Sequence, residues 1–281
     1  MQSRCLTLIV MAGLLLGGCR SGGSSFAPTW ELPSRPTSAL PADSLISRWL
    51  DLDRVTREEL AVREILAGNV PSWLRNVQTL VFDADLDGRT VHVEVGVLAD
   101  YLMVGSDQDF LWMPLSPQAA QRIADATGML LPTPFLVDAI WRGATWKVAP
   151  RPIPPSDSMT TLSVFVAHRD KLLAQRDSLG LPPGVWTAGH KKDVVISNVL
   201  EGLDDRVAIY GWHRENGLPI QPVYSGHGSN WVDYSHGIRL VSRTVRVDGA
   251  EFDLATLLTD SLWYALFNPA GPLVRADYPI R

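Results

Sequence analysis

Only two cysteines occur in this chain, Cys5 and Cys19, and both lie within its first 19 residues. The rest of the chain carries no thiol. Disulfide staples, thiolate metal sites and cysteine nucleophiles are therefore excluded from the body, which must fold on an apolar core alone. The composition allows this, since 46% of the 281 residues are apolar and such a chain is long enough to bury a sizeable core. The pattern predicts a mixed α/β (α+β) body over residues 44–281, with packing helices on an antiparallel or mixed sheet. A stiff Pro-rich connector at 149–156 is a candidate internal boundary. Net charge is −5, so no basic field exists to recruit nucleic acid.

The leader itself is specific. Arg4 precedes an apolar run from Leu6 to Leu16, and Leu16-Gly17-Gly18-Cys19 follows. The run is shorter than the roughly 20 residues a bilayer span requires, and it fits the apolar region of a signal peptide. The order of residues resembles the lipobox of bacterial lipoprotein signal peptides. That resemblance implies removal of residues 1–18, acylation of Cys19 (palmitate among the chains) and a lipid anchor in the cell envelope. Arg20 stands where inner-membrane retention uses Asp, so the resemblance favours the outer membrane in a diderm cell, with the periplasm as the compartment. Residues 19–43, rich in Ser, Gly and Pro, read as a flexible tether.

Along the body, Asp87-Gly88 between Thr79–Phe82 and Thr90–Val95 predicts a hairpin, with Val91, Val93 and Val95 inward and His92 outward. Ser116-Pro117 with Gly128, and Thr133-Pro134 with Gly143, punctuate two short helices. Thr56 and Glu59 have capping-box spacing for an earlier helix. Leu98 to Val104 reads as a third strand. Met159 to Ser178 reads as a helix with His168 at its surface, and Phe252 to Leu266 as another helix.

Chemistry concentrates between residues 189 and 239. Four of the six histidines fall there, as His190, His213, His227 and His236. They stand in the blocks Gly189–Asp193, Tyr210–Arg214, His227–Ser229 and Asp233–Arg239, separated by strand-like runs. The candidate catalytic set is His190, His213, His227, Asp233, Ser235, His236 and Arg239. In a metal site, His190, Asp193, His213, His227 and His236 supply candidate ligands, with zinc the metal that such a donor set takes; no HExxH motif is present. In metal-free chemistry, Ser229 or Ser235 pairs with His227 or His236 and Asp233 orients the imidazole, or His190, Lys191 and Tyr234 abstract a proton. Against each of these stands a plainer role, in which a loop histidine bonds backbone and holds a turn.

Ser235-His236-Gly237-Ile238-Arg239-Leu240, preceded by His227-Gly228, resembles the catalytic stretch of L,D-transpeptidases. That family has a His-Gly pair, then Ser-His-Gly-Cys, an aliphatic residue and Arg. Here the Cys is missing, or Ile238 stands in its place. The resemblance spans about 14 residues; it implies that His236 matches the catalytic histidine and Arg239 the motif arginine, with no nucleophile left. Two functions are then open. One is an envelope hydrolase acting on the wall or an exported polymer. The other is a non-catalytic envelope module that binds peptidoglycan, another glycan or a protein partner. Ten tryptophans read mostly as core or rim packing, and any that are exposed could stack on the sugar rings of a glycan partner.

Overall fold

The computed structural model describes residues 26–280. The expected leader 1–18, the expected lipidation site Cys19 and residues 20–25 lie outside the described residues.

Local chemistry sets most element boundaries. Helix α1 (Ala42–Trp49) leads to α2 (Arg54–Leu66), whose N-cap is Asp53. The Asp53 carboxylate accepts from Thr56 N at 3.0 Å and from the Thr56 hydroxyl at 2.6 Å. The expected capping box therefore starts a turn earlier than Thr56, because a carboxylate favours the positive end of a helix. Glu59 turns outward and pairs with Arg122. Strands β1 (Gln78–Leu86) and β2 (Arg89–Val97) form the expected hairpin. Asp87 and Gly88 both take positive φ there, 53° and 78°, the geometry of the two-residue hairpin turn. Val91, Val93 and Val95 are buried and His92 is exposed, paired with Asp83 at 2.9 Å.

Short strands β3 (Met103–Gly105) and β4 (Phe110–Trp112) follow, then α3 (Pro117–Ala126), β5 (Met129–Leu130), α4 (Pro134–Gly143) and β6 (Trp146–Lys147). Only the end of the run expected as a third strand pairs with another strand. Its first part is tied instead to the second half of the Ser235–Leu240 motif, through Leu98 N to Leu240 O and Leu102 N to Ile238 O. Ser116 and Thr133 cap α3 and α4 as expected, accepting from Ala119 N and Leu136 N at 3.2 Å each. Thr133 also donates to Phe267 O at 2.5 Å from a fully buried position. Thr133→Val keeps the shape and removes both bonds. It should lower stability by about 2 kcal/mol, read as a fall in the urea midpoint at constant m-value.

Helix α5 (Leu162–Ser178) starts at the Thr161 cap. His168 lies on its buried face with Leu162, Phe165 and Leu172, not at the surface. The remaining strands are β7 (Thr187–Ala188), β8 (Lys192–Val194), β9 (Ile209–His213), β10 (Pro219–Tyr224), β11 (His236–Gly237), β12 (Val241–Val247) and β13 (Ala250–Asp253). The helix expected over 252–266 is shorter: Phe252 is in β13, α6 spans Leu254–Thr259, and a 3-10 turn covers Trp263–Leu266. Asp253 caps α6 through Thr256 N, and Asp260 then draws Leu262 N and Trp263 N at 2.8 and 3.0 Å, which ends the helix.

The result is an α+β fold. One sheet has the order β1-β2-β12-β13, with β5 also on β12, all antiparallel. A second, β10-β9-β8-β11, is mixed, because β11 runs parallel to β8. Most buried apolar residues from Trp30 to Tyr278 form one core cluster, and Val137, Val195 and Ala208 form a second, small one. Both sides of the 149–156 connector contribute to the main cluster. The connector itself lies at the surface, with Ile153 N held by the Tyr234 hydroxyl at 2.8 Å.

The segment before α1 departs from a flexible tether. Trp30 is only 6% exposed and belongs to the core. Arg75 donates to Leu32 O and Pro33 O at 3.1 and 2.7 Å, and Arg35 to Asn69 Oδ1 and Ala39 O at 2.9 Å each. Pro28 fits over Gly96, where a Cβ would come within 2.4 Å of its ring. From Phe26 onward the Ser/Pro-rich composition encodes a packed strap.

Candidate functional site

The second sheet brings three of the four histidine blocks side by side. Lys192 and Asp193 in β8 pair with His236 and Gly237 in β11, and with Gly211 and Tyr210 in β9. Pairing the backbones does not pool the side chains, because neighbours along a strand point to opposite faces. The histidines end in separate surroundings.

His190 is 1% exposed and faces Asp100, with Nε2 3.3 Å from Oδ1. Tyr101 and Trp112 meet its ring edge-on, with centroids at 4.9 and 5.8 Å. Asp100 is the centre of this network. It accepts from Tyr101 N at 2.7 Å, from Trp112 Nε1 at 3.1 Å and from Arg176 at 2.9 Å. Burial acts to raise the Asp100 pKa, but His190, Arg176 and Arg239 outweigh it and hold the carboxyl well below the usual range. Arg239 is fully buried. It donates to Leu98 O at 2.8 Å and Thr187 O at 2.6 Å, and lies 4.2 Å over the Tyr101 ring. The Tyr101 hydroxyl donates to Asp193 at 3.0 Å. Burial pushes the Asp193 pKa up to about 6, against the pull of Arg239 and Tyr101. Lys191, 2% exposed, meets His168 Nδ1 at 3.1 Å and donates to Tyr234 O at 2.6 Å. Burial lowers the Lys191 pKa to about 7.

The transpeptidase-like stretch is sealed as well. Ser235, His236 and Arg239 are each no more than 1% exposed. Ser235 Oγ donates to Asp233 Oδ1 at 2.5 Å, and His236 Nε2 lies 3.7 Å from Asp233 Oδ2. The carboxylate thus stands between hydroxyl and imidazole. A working triad places the imidazole in the middle, so that it takes the hydroxyl proton. Neither ring nitrogen of His236 has a hydrogen-bond partner among the described residues. Gly237 is required by packing, since a Cβ there would come within 2.6 Å of Tyr101 Cδ1 and Lys191 Cβ. The proton-abstraction set of His190, Lys191 and Tyr234 is equally enclosed, and the Tyr234 hydroxyl donates to Ile153 O at 3.0 Å.

His213 sits apart, against α4. Asp138 Oδ1 faces His213 Nε2 at 2.8 Å and accepts from the Tyr210 hydroxyl at 2.9 Å, and Trp141 stacks on the imidazole at 5.7 Å. Trp212, just before it, has φ 57°, a strained value for a bulky residue. That kink is held by Trp212 N to Lys191 O and by its indole N–H to His190 O, both 3.2 Å. His213 is 2% exposed, and the pit it shares with Asp193 and Trp141 is too tight for a water molecule.

His227 is the histidine of this region that solvent reaches. It stacks on Trp231 with centroids 5.2 Å apart and planes 19° off parallel, and Tyr224 meets it edge-on at 5.1 Å. Trp231 and Tyr224 are 36% and 42% exposed. Burial lowers the His227 pKa, opposed in part by Asp233, which favours the uncharged ring. The Trp231 indole N–H lies 3.4 Å from Asp233 Oδ2, which seats this ladder directly on the sealed motif.

The structure therefore does not gather His190, Asp193, His213, His227 and His236 as ligands. Among the described residues no three His, Cys, Asp or Glu side chains are grouped to hold a metal ion. Sequence reasoning missed Asp100, Arg176 and Asp138. Two of these carried a signal: Asp100 is a lone acid inside the apolar run Leu98–Val104, and Asp138 a lone acid inside Phe135–Ile140. No family model, curated protein or solved structure matches the chain.

Proposed function

We propose that this chain is a lipid-anchored cell-envelope protein that binds wall glycan without cleaving it. The observation that carries this reading is the exposed Tyr224–His227–Trp231 ladder above a motif whose polar groups are closed to solvent. Aromatic faces suit the C–H faces of sugar rings, and a neutral imidazole extends that surface. Hydrolysis needs a general acid or base in reach of a substrate proton. His190, His213 and His236 are inside the body, and the described contacts of the His227 ring are with Trp231 and Tyr224, which favours binding over the hydrolase alternative. The lipobox-like leader and the motif's likeness to a wall enzyme support the same compartment.

Cosedimentation of the full chain with purified sacculi, followed by muropeptide profiling, tests this. The expected result is a pelleted protein and an unchanged profile. Trp231→Ala should weaken binding about tenfold, the effect of losing one aromatic stacking contact. A changed muropeptide profile would establish the hydrolase instead, and absence from the pellet would rule out the glycan reading.

A further inference from the structure

The strap before α1 has a consequence for how the body sits in the envelope. A tether running to residue 43 would let the body hang far from the bilayer in any orientation. The packed strap removes that freedom, because Phe26, Pro28 and Trp30 are already part of the body. Phe26 lies under the Arg246 guanidinium at 5.2 Å, Pro28 over Gly96 and Ser242, and Trp30 in the core. Residues 20–25 alone separate Cys19 from Phe26. At full extension that span reaches about 25 Å, whatever its conformation. A compact chain of this size is roughly 45 Å across. The face on which Phe26 emerges therefore cannot point away from the membrane.

We propose that the strap docks the body on the bilayer surface through the face around Phe26, Thr29 and the β12 groove beside them. The partner is the lipid headgroup layer. The groove carries both signs of charge, Arg243 and Arg246 with Glu31 and Glu251, so the contact is positioned by the short covalent reach and not by a basic patch. This inference rests on acylation of Cys19, the anchoring reading given above.

The chain provides a clean assay, because its mature body has no cysteine and the thiol of Cys19 would be blocked by lipid. Thr29 is exposed on the strap, and Ile220 is exposed on β10 of the other sheet. Thr29→Cys and Ile220→Cys are each made in the full chain, labelled with an environment-sensitive fluorophore and reconstituted in phospholipid vesicles. Quenching by headgroup spin-labelled lipid is then measured. The expected result is several-fold stronger quenching at position 29 than at 220. Inserting twenty Gly/Ser residues between Arg20 and Phe26 should bring the two values together. Equal quenching at both positions in vesicle-bound, uninserted protein overturns the docking proposal and leaves the anchor intact. A Cys19→Ala chain that stays membrane-bound to the same extent overturns the anchoring reading, and the docking proposal with it.

Discussion

Arg239→Ala is expected to unfold the protein or leave it marginally stable, with a loss of about 3–5 kcal/mol. The guanidinium is fully buried and satisfies two backbone carbonyls, Leu98 O and Thr187 O, that have been drawn out of water. It also supplies positive charge to Asp100 and Asp193 from the inside. Truncation leaves unpaired buried acceptors and two carboxyls with one cation fewer. Arg239→Lys should rescue only in part, because an ammonium lacks the planar fork that reaches both carbonyls while stacking on Tyr101. Urea unfolding followed by tryptophan fluorescence gives the answer. A variant with an unchanged midpoint would show that the network contributes nothing to stability.

The second large effect is on pH dependence. Burial is the main cause that lowers the His236 pKa from 6.5 to about 4, opposed in part by Asp233. The folded state therefore disfavours the proton that the unfolded chain accepts near pH 6.5. The contribution of His236 is fully present above that pH, falls as pH drops toward 4, and changes no further below it. The span corresponds to about 3 kcal/mol. Asp193 acts with the opposite sign. Its pKa rises from 3.8 to about 6, so its contribution is present below pH 3.8 and is lost as pH rises through 6. The two must be separated by variants. His236→Leu, measured against the parent, should gain about 3 kcal/mol in relative stability between pH 7 and pH 4. Asp193→Asn should gain a similar amount in the reverse direction. At pH 7, His236→Leu should be close to neutral, since the imidazole it replaces has two buried nitrogens without partners and an apolar group has no such need.

The elements legible in the sequence were those whose signals are local. The Asp87-Gly88 hairpin, the Ser116 and Thr133 caps and the inward Val91, Val93 and Val95 all follow from rules acting within a few residues. The α2 cap was misplaced because Asp53 and Thr56 both satisfy such a rule, and the carboxylate is the stronger acceptor. The helix over 252–266 was overextended because an apolar stretch does not show which residue will bond backbone, and Asp253 and Asp260 divide it. His168 was placed outside because its sequence neighbours, Arg169 and Asp170, are charged. The helical period nevertheless puts it on the face shared by Leu162, Phe165 and Leu172.

The candidate site shows the same division. The pairing of its blocks was readable: the segments around His190, His213 and His236 lie on one sheet. The surroundings of each ring were not, because Asp100, Asp138 and Arg176 come from elements far along the chain. The sequence by itself determined the absence of thiol chemistry in the body, the residue types near the motif and the local turns and caps. Only the tertiary structure decided that the motif is enclosed, that the Ser/Pro-rich segment after Phe26 is a strap, and that His227 faces solvent on an aromatic ladder. Burial and long-range pairing depend on which distant segments share a face, and no short stretch of residues encodes that.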